Sequence, residues 1–209
     1  MLAHRRTCNA AVTQLTLPGF EAPQQVPKHR FFFAAMPDPD TAARIAEVAG
    51  RSRAEMRVKA NLLRTAHLHI TLHHLGDFAH VPEIIVARAC AAATNIDVPP
   101  FGVTFDQIGS FNGRPEHYPL VLRASTGLGE LIDFQQGLGD VLRGAGLRIS
   151  RARFVPHLTL LYGERRFDPC AIGPFTWTVR EFVLIHSWLG KRRYDVKGRW
   201  LLRGSGPSA

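Results

Sequence analysis

The chain has 209 residues, enough for one substantial core and marginal for two, with 45% hydrophobic and 21% charged residues as in ordinary globular proteins. Its 26 Lys and Arg against 17 Asp and Glu leave a formal charge of +9, which favours phosphate-bearing partners without specifying one. Three scattered cysteines, Cys8, Cys90 and Cys170, exclude a disulfide framework or a CxxC zinc knuckle and point to a reducing, cytoplasmic setting, and no apolar run reaches the roughly 18 to 20 residues of a membrane span.

In chain order, residues 1 to 28 hold Pro18, Gly19, Pro23 and Pro27 with little periodicity, which predicts an extended or disordered tail. Asn9, Thr13, Gln14 and Thr16 interrupt what a secretion signal would need as its apolar region. Arg30 to Met36 is a short apolar run stopped by Pro37, predicting a buried strand, and Asp38 or Asp40 is placed to cap a helix running toward Lys59. A second strand is expected over His67 to Leu75. A second helix is expected over Val81 to Asn95, with Pro82 in its first turn and Cys90 packed inside its Ala-rich stretch.

Strands over Phe101 to Ile108 and Pro119 to Ala124 follow, parted by the turn residues Asn112-Gly113-Arg114-Pro115. Leu128 to Leu142 fits a helix closed by Gly144 and Gly146. The remaining strands are predicted at His157 to Tyr162, Phe175 to His186 and Tyr194 to Leu202, before a flexible end at 204 to 209. Strands and helices mix without strict alternation, so the fold class is α+β, one domain over 29 to 203 with sheet covered on one side by helices. Nothing in the sequence signals an oligomer, and a monomer is expected.

One four-residue pattern occurs twice, as His69-Ile70-Thr71-Leu72 and His157-Leu158-Thr159-Leu160. With 10 His, 12 Thr and 22 Leu in the chain, a shuffled sequence would hold His-x-Thr-Leu about 0.06 times, so two copies demand a reason. Strand alternation puts the His and Thr of each copy on one face and the apolar pair on the other. If the two strands meet across a cleft, two imidazoles and two hydroxyls converge, which is what displacement at a phosphodiester needs. One imidazole activates the attacking oxygen, the other protonates the leaving oxygen, and the threonines donate to the non-bridging oxygens.

A single His-x-Thr would read more simply as a partly buried histidine with a satisfied hydrogen bond; the repetition argues for catalysis. Metal binding is the rival, because His67, His69 and His73 share the parity of one strand face. The second copy has Val155 and Leu161 at the places of His67 and His73, so a histidine cluster does not recur. No metal and no cofactor are therefore expected.

These paired motifs resemble the 2H phosphoesterase superfamily, and within it the bacterial RNA 2',3'-cyclic phosphodiesterase or 2'-5' RNA ligase family. Arg30 to Ala34, Leu68 to Gly76, Phe154 to His157 and Val179 to Leu189 are similar to that family's segments, so the likeness covers about 29 to 203. The resemblance implies a bilobal α+β fold: two pseudo-symmetric lobes of antiparallel sheet, helices on the outer faces, and a central active-site groove. It also implies opening of a 2',3'-cyclic phosphate to a 2'-phosphate, with the reverse reaction joining RNA ends through a 2'-5' linkage. His69 would then protonate the leaving 3'-oxygen and His157 activate water. Thr71 and Thr159 would bind substrate.

Two positions depart from the family pattern. His74 replaces an aromatic, and Tyr162 replaces an arginine three residues beyond the second motif's threonine. Tyr162 is a candidate substrate contact in its own right, and Arg153, Arg165 and Arg166 are candidates for the missing charge, Arg153 first. The expected partner is an RNA end or nucleotide with a 2',3'-cyclic phosphate, and no membrane. The alternatives are a different small cyclic nucleotide, a 2'-5' oligonucleotide, or an RNA-binding module without turnover.

Overall fold

The computed structural model describes residues 25–204; the tail expected at 1 to 28 falls mostly outside the described residues, as do Cys8 and the last five positions. The chain forms β1 (His29–Ala35), α1 (Pro39–Glu55), a 3-10 turn (Thr65–His67), β2 (Ile70–Phe78), α2 (Glu83–Ala93) and β3 (Phe101–Ser110). It continues with β4 (Tyr118–Arg123), α3 (Gly129–Gly144), β5 (Leu158–Gly163), β6 (Cys170–Val179), β7 (Glu181–Trp188) and β8 (Arg193–Leu201).

All strand pairs are antiparallel, in the order β6-β3-β4-β5-β2-β1-β7-β8. Two four-stranded lobes share this sheet, and they join through a single paired step, Ile70 opposite Leu158. The unit β1-α1-β2 is repeated as β4-α3-β5, each an antiparallel strand pair bridged by a helix of 17 or 16 residues. This is the α+β, two-lobed architecture that the sequence predicts.

Local chemistry accounts for the elements. Asp38 Oδ1 accepts the Thr41 N–H at 2.9 Å and Pro39 opens α1, so its start is capped. In α3, Leu131, Phe134, Leu138 and Leu142 recur at helical spacing and are buried. Gly146, at φ +76°, ends that helix: its N–H reaches Arg143 O and the Leu147 N–H reaches Leu142 O. β1 is buried from Phe31 to Ala35 because it lies inside the sheet with both faces covered. Phe33 and Ala35 join the main core, and Phe32 and Ala34 form a smaller cluster with Val183 and Ile185. Cys90 packs against the main core, as expected.

Two boundaries differ from the sequence reading in ways that matter. The strand expected from His67 begins only at Ile70, because Thr65 to His67 close a 3-10 turn, and β5 likewise begins at Leu158. Each motif histidine therefore sits one residue ahead of its strand. The single strand expected over Phe175 to His186 is two, because β6 pairs with β3 in one lobe and β7 with β1 in the other, and the chain crosses between them at Arg180.

The same irregularity follows both motifs. Ala34 faces Thr71 but Phe33 faces His73, and Val121 faces Thr159 but Leu120 faces Leu161, so each strand carries one extra residue after its threonine. Such a bulge reverses the parity beyond it.

Candidate active site

The site grows out of the step where the lobes join. Ile70 and Leu158 are fully buried and point into the helix-covered core, which commits their neighbours to the opposite face. Continued one step on either side, the antiparallel register sets His69 across from Thr159 and Thr71 across from His157. The two histidines are then diagonal neighbours, which in a regular ladder stand about 7 to 8 Å apart. Thr71 and His157 line the groove cavity, and His69 is close enough to His157 to feel its charge, whereas His69 and Thr159 are not on that cavity's wall.

Both rings are held in the same way. His69 Nδ1 donates to the His67 carbonyl at 2.7 Å, and His157 Nδ1 donates to the Val155 carbonyl at 2.8 Å. A carbonyl can only accept, so in each neutral ring the proton is on Nδ1 and Nε2 is left as a base. Among the described residues neither Nε2 has a protein partner.

Their surroundings differ. The His69 ring stacks on Phe32 with centroids 4.8 Å apart and meets the edge of Tyr194 at 5.9 Å. Its pKa is pushed down to about 4, chiefly because burial penalises the charged ring, with the nearby His157 adding to the effect. His157 packs edge-on against Phe111 at 4.8 Å and is lowered by burial too, partly offset by its bond to Val155. Tyr194 also stacks flat on His67 at 4.0 Å, and Arg64 bonds His67 Nε2 at 2.9 Å, which braces the turn carrying the His67 carbonyl.

Thr71 and His157 line a groove cavity of about 770 Å³, and Arg153 lies on its wall with Phe154, Val155 and Phe111. Tyr162 is not on that wall; it is exposed, stacks on His117 at 4.4 Å, and lies within electrostatic reach of Arg30. Arg165 is committed elsewhere, donating to the Met56 carbonyl at 2.7 Å and covering the Phe167 ring. Arg30 is tied to Asp77 by two bonds of 2.7 Å, which hold that carboxyl down to about 2.

The three histidines expected to share a face do not gather. The bulge after Thr71 turns His73 into the core, where its Nε2 bonds the Gln135 carbonyl of α3 at 2.7 Å. Among the described residues no group of three or more metal-ligating side chains converges. Sequence reasoning missed the aromatic walls, Phe32 and Tyr194 on one side and Phe111 on the other. Phe32 lay in a predicted strand whose neighbours were unknown, and Tyr194 is 125 positions from His69, so no local signal marked either.

An antiparallel two-lobed sheet with one histidine and one threonine from each lobe defines a 2H phosphoesterase. A family profile described as the 2'-5' RNA ligase superfamily matches residues 37–187, and the chain belongs to that superfamily. The structure is similar to E. coli LigT complexed with 3'-AMP, at TM-score 0.68 and 25% identity over 85% of this chain and 99% of that one. It is also similar to TT0787 of Thermus thermophilus, at TM-score 0.66 and 24% identity over 85% and 100% of the two chains. The crystal structure of a phosphoesterase gives TM-score 0.68 and 24% identity over 85% of this chain and 99% of that one. No curated protein matches the chain. Membership of this family supports an enzyme of phosphodiesterase or ligase type. No helix among the described residues is long and apolar enough to cross a membrane.

Proposed function

We propose that the protein opens the 2',3'-cyclic phosphate of an RNA end or nucleotide to a 2'-phosphate without a metal ion. The observation that carries this reading is the matched pair of imidazoles, each with Nδ1–H bound to a carbonyl and Nε2 unengaged, flanking the Ile70–Leu158 step. Water attacks phosphorus while His157 Nε2 takes its proton. The bond to the 3'-oxygen breaks, and His69 Nε2 delivers a proton to that oxygen. Thr71 and Thr159 donate hydrogen bonds to the non-bridging oxygens as their charge grows. With a ribose 5'-hydroxyl in place of water, the same displacement joins two RNA ends through a 2'-5' linkage.

The low pKa of His69 fits this role once substrate is counted. The unliganded ring is neutral at pH 7, and a phosphodiester anion beside it favours the charged form. Substrate and proton therefore bind together, and the acid is loaded only when there is something to protonate. The E. coli LigT complex with 3'-AMP supports a nucleotide as the ligand of this groove.

The direct test is incubation with an oligonucleotide ending in a 2',3'-cyclic phosphate, with and without EDTA, following the 2'-phosphate formed. Opening that survives EDTA is expected. Tight binding with no product would make the protein an RNA-binding module, and turnover restricted to other cyclic nucleotides would reassign the substrate.

A further inference from the structure

Beside the groove lies a second cavity of about 710 Å³, between the loop that follows β4, helix α3 and the segment leading into β5. The two adjoin along a shared wall: both are lined by Gln135, Ser150, Ala152, Arg153, Phe154 and Val155. The second cavity is strongly basic, with Arg123, Arg143, Arg151 and Arg153 on its walls against one carboxylate, Asp140. Asp140 pairs with Arg143 at 2.6 Å, and among the described residues no carboxylate lies in ion-pairing range of Arg123, Arg151 or Arg153. Thr126 and Ser150 add hydroxyls, while the Ser125 hydroxyl on the same wall donates to Asp106.

Cations lining a concave wall without counter-charges repel one another, and such a cluster is relieved by an anion. Arginine forks suit phosphate oxygens in particular. The arginines around His69 are differently placed, since Arg30 is bound to Asp77, and Arg64 to His67 and the Arg192 carbonyl. Arg30 is therefore neutralised and Arg64 is engaged by hydrogen bonds, whereas Arg123, Arg151 and Arg153 line one concave wall without a carboxylate partner among the described residues.

We propose that this cavity binds the 5'-phosphate of the terminal nucleotide and the residue before it, so that the protein prefers an RNA strand over a lone nucleoside cyclic phosphate. The inference rests on the function proposed above. In a strand whose cyclic phosphate lies between the two histidines, the next phosphate is one ribose away on the 5' side, and the shared wall leads from Thr71 and His157 to the arginine cluster.

The test compares a nucleoside 2',3'-cyclic phosphate, the same compound with a 5'-phosphate, and a pentanucleotide with a cyclic end. The kcat/KM ratio of pentanucleotide to nucleoside should be about ten-fold or more, and the 5'-phosphate alone should recover part of it. The double variant Arg143→Gln/Arg151→Gln should lower that ratio toward one. A parallel anisotropy titration uses a labelled pentanucleotide ending in a 2'-phosphate, competed by adenosine 2'-monophosphate, and needs no turnover. Its log affinity should fall with log salt about 0.7 less steeply for each phosphate contact the variant loses. Equal ratios and equal salt slopes in parent and variant would overturn the subsite while leaving the cyclic phosphodiesterase intact. Absence of turnover with the expected titration would do the reverse.

Discussion

The halves that meet at Ile70 and Leu158 carry the same His-x-Thr-Leu pattern and hold their histidines by the same bond, yet they enclose them differently. In the first half, Phe32 and Tyr194 pack around His69 and leave it only partly exposed. In the second, His157 has Phe111 on one side and lines the groove cavity, which shares a wall with the arginine-rich cavity. Duplicated backbone geometry therefore supplies two bases of one kind, and unduplicated neighbours make them unequal. Burial holds both rings neutral without ligand, so the protonated imidazole that the proposed displacement needs has to come from the substrate's negative charge and not from the inequality itself.

Removing either ring tests the comparison most severely. His69→Ala and His157→Ala should each cost about 10² to 10⁴-fold in kcat, because in the proposed mechanism each transfers one proton, with the fold retained by circular dichroism. Full activity in either variant would break the pairing. Thr71→Val and Thr159→Val should each cost less, about ten- to a hundred-fold, with Ser restoring most of the loss. If Ser is as damaging as Val, the methyl group packs and the hydroxyl does not act.

The inequality itself can be sharpened by titration. Tyr194→Ala admits water to His69, so the pKa of that ring, read from its C2 proton by NMR, should climb from about 4 toward 6.5 while His157 stays in place. A parallel shift of both rings would mean that the environments are not independent. Binding of a 2'-phosphate product should raise the His69 value in the parent protein and strengthen as pH falls from 7 to 5.

The smallest effect is on stability. His69, His157 and His186 all have folded pKa values below the unfolded 6.5, so the fold holds them neutral. Stability from these groups is complete above about pH 6.5 and is lost as pH falls toward about 4, the His69 value. Tm should drop over that window, and His69→Asn should flatten the drop. A Tm that rises with acid would contradict the sign.

Much of the fold was legible because its signals are local. Asp38 and Pro39 mark a helix start, Gly146 a helix end, and the spacing of Leu131, Phe134, Leu138 and Leu142 a buried stripe. His73 was misread because parity was counted through a bulge, and a bulge is set by pairing with β1, a partner 40 positions away. The break at Arg180 was hidden for a similar reason, since each of its flanking strands is fixed by a different lobe.

The sequence by itself determined where the two His-x-Thr motifs lie and so which four side chains are the candidates for the chemistry, because a repeated motif is visible without coordinates. Only the tertiary structure decided which walls enclose each ring, where His73 goes and how the arginines gather, since those follow from contacts between strands and loops far apart in the chain. Periodicity and capping act over a few residues and are written locally; burial, pKa and cavity charge are properties of neighbours that folding brings together.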